Sequence, residues 1–184
     1  MVSIDGDTSP NDTVLLMANG LADNGLIKQR TKSATAFQRA LNQVCIYLAK
    51  AIARDGEGAG RLIEVTVSGA LSLASARSAA RTIASSPLVK AAVHGSDPNW
   101  GRITAALGRS GAEVVESKIS LSMSGICLVE EGIALPFDEK KAVLALNNDE
   151  VSISINLNLG RARATAWGCD LSSDYVTINS QYTT

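Results

Sequence analysis

The spacing of hydrophobic positions changes several times along this chain, and each change marks an element. Over residues 33–54, Phe37, Leu41, Val44, Cys45, Leu48 and Ile52 recur at helical spacing. That pattern predicts an amphipathic helix, stopped by Asp55-Gly56. Leu62-Ile-Glu-Val-Thr-Val67 mixes β-branched residues with alternation and predicts a strand. An Ala- and Ser-rich stretch over 73–84 predicts a second helix that ends before Pro87. Leu88-Val-Lys-Ala-Ala-Val-His94 reads as a buried strand. Asp97 as N-cap and Pro98 at the first helical position then predict a helix reaching about Leu107.

Downstream, strands are expected over 118–123 and 127–130, and a helix over 138–146. In Val151-Ser-Ile-Ser-Ile-Asn-Leu-Asn-Leu159 apolar and polar residues alternate strictly, so one face is covered and the other wet. Residues 161–168 are expected to pair with that strand as a hairpin through Gly160. Near the start, Thr13-Val-Leu-Leu-Met-Ala-Asn-Gly20 reads as a short helix capped by Asn11 or Asp12. The class is mixed α and β (α+β), with helices packed on mixed sheets. A division between residues 70 and 85 fits this order, although no linker composition marks it.

Composition narrows the functional classes. Hydrophobic residues make up 46% and charged residues 19% of the 184, which suits a globular protein and excludes wholesale disorder. With aromatics at 4%, the core must be built from Ala, Val, Ile and Leu. A net charge of −1 gives no electrostatic footprint for nucleic acid or an anionic membrane. No apolar run reaches the ~18 residues of a spanning helix, and the N-terminus does not read as a signal peptide. Cys45, Cys127 and Cys169 are odd in number and sit in apolar contexts. They are expected to be reduced core residues of a cytoplasmic protein, with no spacing for a metal or a disulfide.

Candidate chemistry is sparse. Gly56-Glu-Gly-Ala-Gly60 follows a helix and precedes a strand, the reverse of a dinucleotide-binding loop. Its chemical asset is the Glu57 carboxylate in a turn whose glycines allow close approach by a ligand; an exposed acid in a helix-ending turn is the simpler account. Asp5, Asp7 and Asn11 do not form a calcium loop, because Pro10 and Leu16 occupy the positions of the required Gly and Glu; local Asx-turn and capping chemistry explains the stretch. His94, Ser96 and Asp97 lie too close in sequence for a hydrolase triad. Asp97-Pro-Asn-Trp-Gly-Arg102 is read as a capped helix start, with Trp100 filling a gap in the core. The last nineteen residues, Ala166 to Thr184, stay rich in apolar and amide side chains to the end. Ser172 or Ser173 can cap a short helix, with Tyr175, Val176, Ile178 and Tyr182 as packing anchors. Such a tail would fix Asn179, the Thr184 hydroxyl and the terminal carboxylate, groups suited to a small polar molecule.

Four runs together carry a resemblance: Val2-Ser-Ile-Asp-Gly-Asp-Thr-Ser-Pro-Asn-Asp-Thr13, Asp55-Gly-Glu-Gly-Ala59, Val93-His-Gly-Ser-Asp-Pro-Asn-Trp-Gly-Arg102 and Ala166 to Thr184. In the same order and over essentially the whole chain they resemble the β chain of ornithine acetyltransferase (glutamate N-acetyltransferase) of arginine biosynthesis. The resemblance implies a precursor that cuts itself before a threonine, whose hydroxyl then attacks with its own α-amine as base. Acetyl would pass from N2-acetylornithine to glutamate through an acetyl-enzyme, with oxyanion donors on the α chain. It also implies a heterotetramer of two αβ pairs, no cofactor, and acetyl-CoA as an alternative acetyl donor in bifunctional members. The substrate-contacting acid matches Glu57, and the contacts near the C-terminus match Asn179 and Thr184.

No Thr in this sequence matches the nucleophile, so no catalytic residue is expected on it and Met1 is read as internal, with the catalytic Thr upstream. The implied fold is of the self-cleaving N-terminal-nucleophile acetyltransferase type. Residues 1–72 would belong to a catalytic sandwich completed by the α chain, and 73–184 to a smaller C-terminal α/β domain whose tail returns to the site. Two other readings stay open: a non-catalytic amino-acid-binding or assembly subunit, and a related self-cleaving aminopeptidase or amidase.

Overall fold

The structure is a computed structural model that describes residues 1–181. The described residues form one seven-stranded mixed sheet. Its strands are β1 (Val2–Ser3), β2 (Leu62–Ala70), β3 (Ser120–Met123), β4 (Ile126–Glu130), β5 (Ile133–Ala134), β6 (Glu150–Asn156) and β7 (Ala162–Cys169). They lie in the order β1-β7-β2-β6-β3-β4-β5. The helices are α1 (Lys32–Arg54), α2 (Leu73–Ala84), α3 (Pro87–His94), α4 (Trp100–Gly108), α5 (Glu139–Leu146) and α6 (Ser173–Gln181). The sheet takes strands from both sides of residue 72, and Ser72 caps α2 by accepting from the Ser75 amide.

Alternation along β2 sorts the two faces. Ile63, Val65 and Val67 are buried with Val151, Ile153 and Ile155 of β6 and with Ala76, Ala80 and Ile83 of α2. Small α2 residues let the helix approach closely, which is how a core forms with so few aromatics. The opposite face carries Glu64 and Thr66, and there Thr66 and Thr165 share a hydroxyl hydrogen bond of 2.9 Å. The alternation expected over 151–159 is observed, with Val151, Ile153, Ile155 and Leu157 buried.

Helix α1 lies against the polar side and is anchored by charge. Lys50 bonds to Glu64 at 2.8 Å and Glu150 at 2.7 Å, and Arg54 reaches Glu150 at 2.7 Å. Its apolar stripe does not face the sheet. Phe37, Val44, Leu48 and Ile52 are exposed, and Tyr47 is 71% exposed. The helical period was legible in the sequence, but the covered face is the one carrying Ala49, Lys50 and Ala53.

Six expectations need correction. Residues 88–94 form a helix and not a strand: Pro87 occupies the first turn, where its missing amide costs nothing. A short apolar run cannot by itself separate the two states. Residues 13–20 form no helix; Val14, Leu15, Leu16 and Met17 lie exposed, and so short a segment gains too little without a surface to pack on. The cap of α4 is Asn99, accepting from the Arg102 amide, so the helix starts after Asp97-Pro98. Strands β6 and β7 do not pair. Strand β2 lies between them, parallel to β6 and antiparallel to β7. The link from β6 to β7 wraps the end of β2, where Leu159 and Gly160 donate to the Gly69 carbonyl at 2.8 and 2.7 Å. Of the cysteines, only Cys169 is buried; Cys45 and Cys127 are exposed. Trp100 is partly exposed and fills no core gap.

Candidate functional site

Two chain segments meet beyond the C-terminal end of α1. The first is the turn that follows Arg54. Ala59 donates its amide to the Gly56 carbonyl at 2.9 Å, leaving Glu57 and Gly58 as the central residues. Gly58 has φ +65°, the left-handed value that the third position of a type II turn requires. A Cβ there would stand 2.5 Å from the Tyr175 amide nitrogen, so the turn packs directly on the first turn of α6.

The second segment is α6. Ser172 caps it by accepting from the Tyr175 amide at 3.2 Å, resolving the two candidate caps in favour of Ser172. One helical turn after Tyr175, Asn179 stands on the same side of the helix. Its Nδ2 donates to Glu57 Oε2 at 2.8 Å and to the Tyr175 carbonyl at 2.9 Å. Residues separated by 122 positions are thus in direct contact. Glu57 and Asn179, two of the three expected binding residues, come together; Thr184, the third, lies outside the described residues.

The surroundings are acidic. Tyr175 donates its hydroxyl to Asp5 Oδ2 at 3.1 Å. Burial, that bond, and the charges of Asp5, Glu57 and Asp7 all raise the phenol above its ordinary value, so Tyr175 is a neutral donor. Asp5 also accepts the Asp7 amide at 2.9 Å, the expected Asx turn, so one carboxylate serves the turn and the tyrosine together. The sequence indicated the turn but carried no sign of the Tyr175 bond to Asp5. Such an arrangement can receive an ammonium group: a carboxylate and an amide meet at an exposed surface, with the charges of Asp5 and Asp7 near the adjoining Tyr175. It contains, among the described residues, no nucleophile paired with a base. Among the described residues no group of three His, Cys, Asp or Glu side chains is placed to hold a metal ion.

His94 lies nearby, and its partner is not Asp97. Its Nδ1 donates to Asp170 Oδ2 at 2.8 Å. Asp170 carried no signal in the sequence reading, yet it is the buried acid of this region. The Asp97–Arg102 run serves structure: Arg102 donates to the Leu88 carbonyl at 3.1 Å, tying α4 to α3. No helix of the described residues is long and apolar enough to cross a membrane.

Comparison with known proteins agrees over the whole chain. The ArgJ family model matches residues 1–184. A protein of Dehalococcoides mccartyi named arginine biosynthesis bifunctional protein ArgJ is 52% identical over all of this chain and 45% of its own length. One of the same name from Symbiobacterium thermophilum is 50% identical, over 46% of its length. This chain therefore spans a little under half the length of those relatives. A crystal structure of the protein so named from Bacillus halodurans superposes with a TM-score of 0.95 at 45% identity, covering 98% of this chain and 85% of that one.

Proposed function

The chain belongs to the ArgJ family, and on that premise we propose that it is the substrate-gripping β chain of an acetyltransferase of arginine biosynthesis. The proposed reaction moves acetyl from N2-acetylornithine to glutamate. A threonine hydroxyl upstream of this chain attacks the acetyl carbonyl, the amide C–N bond breaks, and the proton leaves with the ornithine amine. The α-amine of glutamate then attacks the acetyl-threonine ester, which restores the hydroxyl and releases N-acetylglutamate. Acetyl-CoA is an alternative donor in this scheme. The chain itself contributes Glu57, Asn179 and Thr184 as binding residues and none that reacts.

The observation that best supports this reading is the Glu57–Asn179 contact of 2.8 Å, which joins two groups expected at one site from opposite ends of the chain. A carboxylate there suits the side-chain ammonium of N2-acetylornithine, or the α-ammonium of glutamate. The exposed state of both residues fits a site with a second wall. The exposed stripe of α1 and the exposed apolar residues Val14, Leu16, Met17, Leu21 and Leu26 suit a covering partner. We assign that partner to the α chain of the same precursor, in a cytoplasmic heterotetramer of two αβ pairs. Coverage of less than half of the relatives' length accords with it.

The test is an assay of the complete protein that contains this chain, supplied with N2-acetylornithine and glutamate. The expected products are ornithine and N-acetylglutamate, with ping-pong kinetics and an acetylated protein when the acceptor is withheld. Release of free acetate with no acceptor dependence would instead identify an amidase. Absence of both reactions would leave the non-catalytic binding module.

A further inference from the structure

Glu57 and most of α6 are exposed at the surface. Between them runs the segment from Cys169 to Ser172, which contains a buried carboxylate. The Asp170 side chain is 1% exposed. Its Oδ1 accepts from the Gly60 and Arg61 amides, each at 2.8 Å, and its Oδ2 accepts from His94 Nδ1 at 2.8 Å. A buried charge is tolerated only when it is paired and hydrogen-bonded, and three donors meet that requirement. The Asp170 amide completes the joint by donating to the Arg61 carbonyl at 3.0 Å.

Two residues on, Ser172 forms the second arm. Its hydroxyl donates to the Gly58 carbonyl at 2.6 Å while capping α6. Gly58 and Gly60, on either side of Ala59 and just past Glu57, are therefore both fastened to the segment that launches Asn179. Behind that segment, buried Lys90 donates to the Cys169 carbonyl at 2.6 Å and also to the Ile4 carbonyl, so the anchor is fixed to the core. The Arg61 guanidinium donates to the His94 carbonyl at 2.9 Å and to Asn147 at 2.7 Å, holding the far side of the joint.

We propose that Asp170, with Ser172 as its second arm, is a positioning residue for Glu57. It sets the distance and angle at which the Glu57 carboxylate meets Asn179 and the substrate ammonium, without touching substrate. His94 orients the Asp170 carboxylate so that one oxygen stays on the two turn amides. This inference rests on the acetyltransferase reading for its substrate, but the clasp itself is a property of the turn.

The experiment is a double-mutant cycle in the complete enzyme that contains this chain. Asp170→Ala should raise KM for N2-acetylornithine about 10-fold with kcat nearly unchanged, the signature of lost ground-state binding. Asp170→Asn, whose Oδ1 still accepts from Gly60 and Arg61, should restore most of that loss. Added to Glu57→Gln, Asp170→Ala should raise KM little further, because both changes remove the same interaction. A folded Asp170→Ala enzyme with unchanged KM, or effects that simply multiply with those of Glu57→Gln, would overturn the assignment. Should Asp170→Ala fail to fold, Ser172→Ala enters the same cycle under the same criteria. If the unaltered enzyme transfers no acetyl at all, the functional reading fails and the clasp is judged by amide exchange. Faster exchange at Gly60 and Arg61 in Asp170→Ala than in Asp170→Asn would then retain it, and equal exchange would reject it.

Discussion

At Gly58 a left-handed backbone and a neighbouring helix act on the same atom. Alanine there would suffer the strain of φ +65° and a Cβ 2.5 Å from the Tyr175 nitrogen. Gly58→Ala is expected to cost about 1–3 kcal/mol from backbone strain alone, read as a lowered melting temperature, and to push the Glu57 turn off α6. Lys90 gives a second test at this scale. Its amine, buried among carbonyls of Ile4 and Cys169, is lost to both when Lys90→Met is made, leaving Ile4 only the weak Cys169 thiol contact. The expected loss is about 1–3 kcal/mol for each unsatisfied group, measured by urea unfolding. What the sequence could reveal at this scale depended on locality. Asp5 was legible as an Asx turn because its partner is two residues away, whereas its bond to Tyr175 spans 170 positions. Asp170 stands between Cys169 and Leu171 with no motif and no period. Its partners are more than a hundred residues upstream, except for His94, which is 76 away.

Helix α1 illustrates what pattern reading captures of an element and what it misses. The 3.6-residue period located it correctly, but periodicity says only that one face is apolar, not which neighbour that face meets. Ion pairs attach the other side to the sheet, which makes the attachment sensitive to pH. Burial raises the Glu64 carboxyl, but hydrogen bonds from Lys50 and Trp167 and the charges of Lys50 and Arg163 outweigh it, so the net shift is downward from 4.5. Burial likewise lowers the Lys50 ammonium, and its bonds to Glu150 and Glu64 outweigh that, so the net shift is upward from 10.5. A depressed carboxyl stabilises the fold above its unfolded value and loses that contribution as pH falls through the folded one. A raised amine stabilises below its unfolded value and loses its contribution as pH rises through the folded one. Docking of α1 should therefore hold between pH 4.5 and pH 10.5, weakening only as pH falls below the first or rises above the second. Trp167 donates its indole N–H to Glu64 at 2.9 Å and can report this. In Trp100→Phe, its fluorescence should shift on acidification below the Glu64 transition and remain constant at neutral pH. The α3 and β6–β7 corrections have a related cause. A seven-residue apolar run fits either state, and a glycine between two strands signals a hairpin only if no third strand enters between them.

For the whole molecule, the central fact is a sheet with a well-filled core on one side and a long apolar helix stripe open on the other. Met17 is 90% exposed and Leu26 85%, with Tyr47 and Phe37 on α1 adding to the uncovered surface. Isolated apolar side chains are ordinary on a surface, but a run of them along a helix and its preceding segment indicates a covered interface. Under the proposed partnership with an α chain, Phe37→Asp combined with Leu48→Asp should abolish co-purification of the two chains while leaving the melting of this chain nearly unchanged. Retained co-purification would place the partner elsewhere. The mixed α and β class was legible because alternation and helical spacing survive in short windows. Strand order was not, because β2 reaches its place between β6 and β7 through pairings about 90 to 110 residues apart.

Under the proposed function, Glu57 and Asn179 grip a substrate ammonium from two ends of one chain. Steady-state kinetics of Glu57→Gln in the complete enzyme, with N2-acetylornithine varied at saturating glutamate, test that claim most directly. Charge-assisted hydrogen bonding predicts a KM raised about 10-fold or more with the acetyl-enzyme still able to form. A KM equal to that of the unaltered enzyme would contradict it.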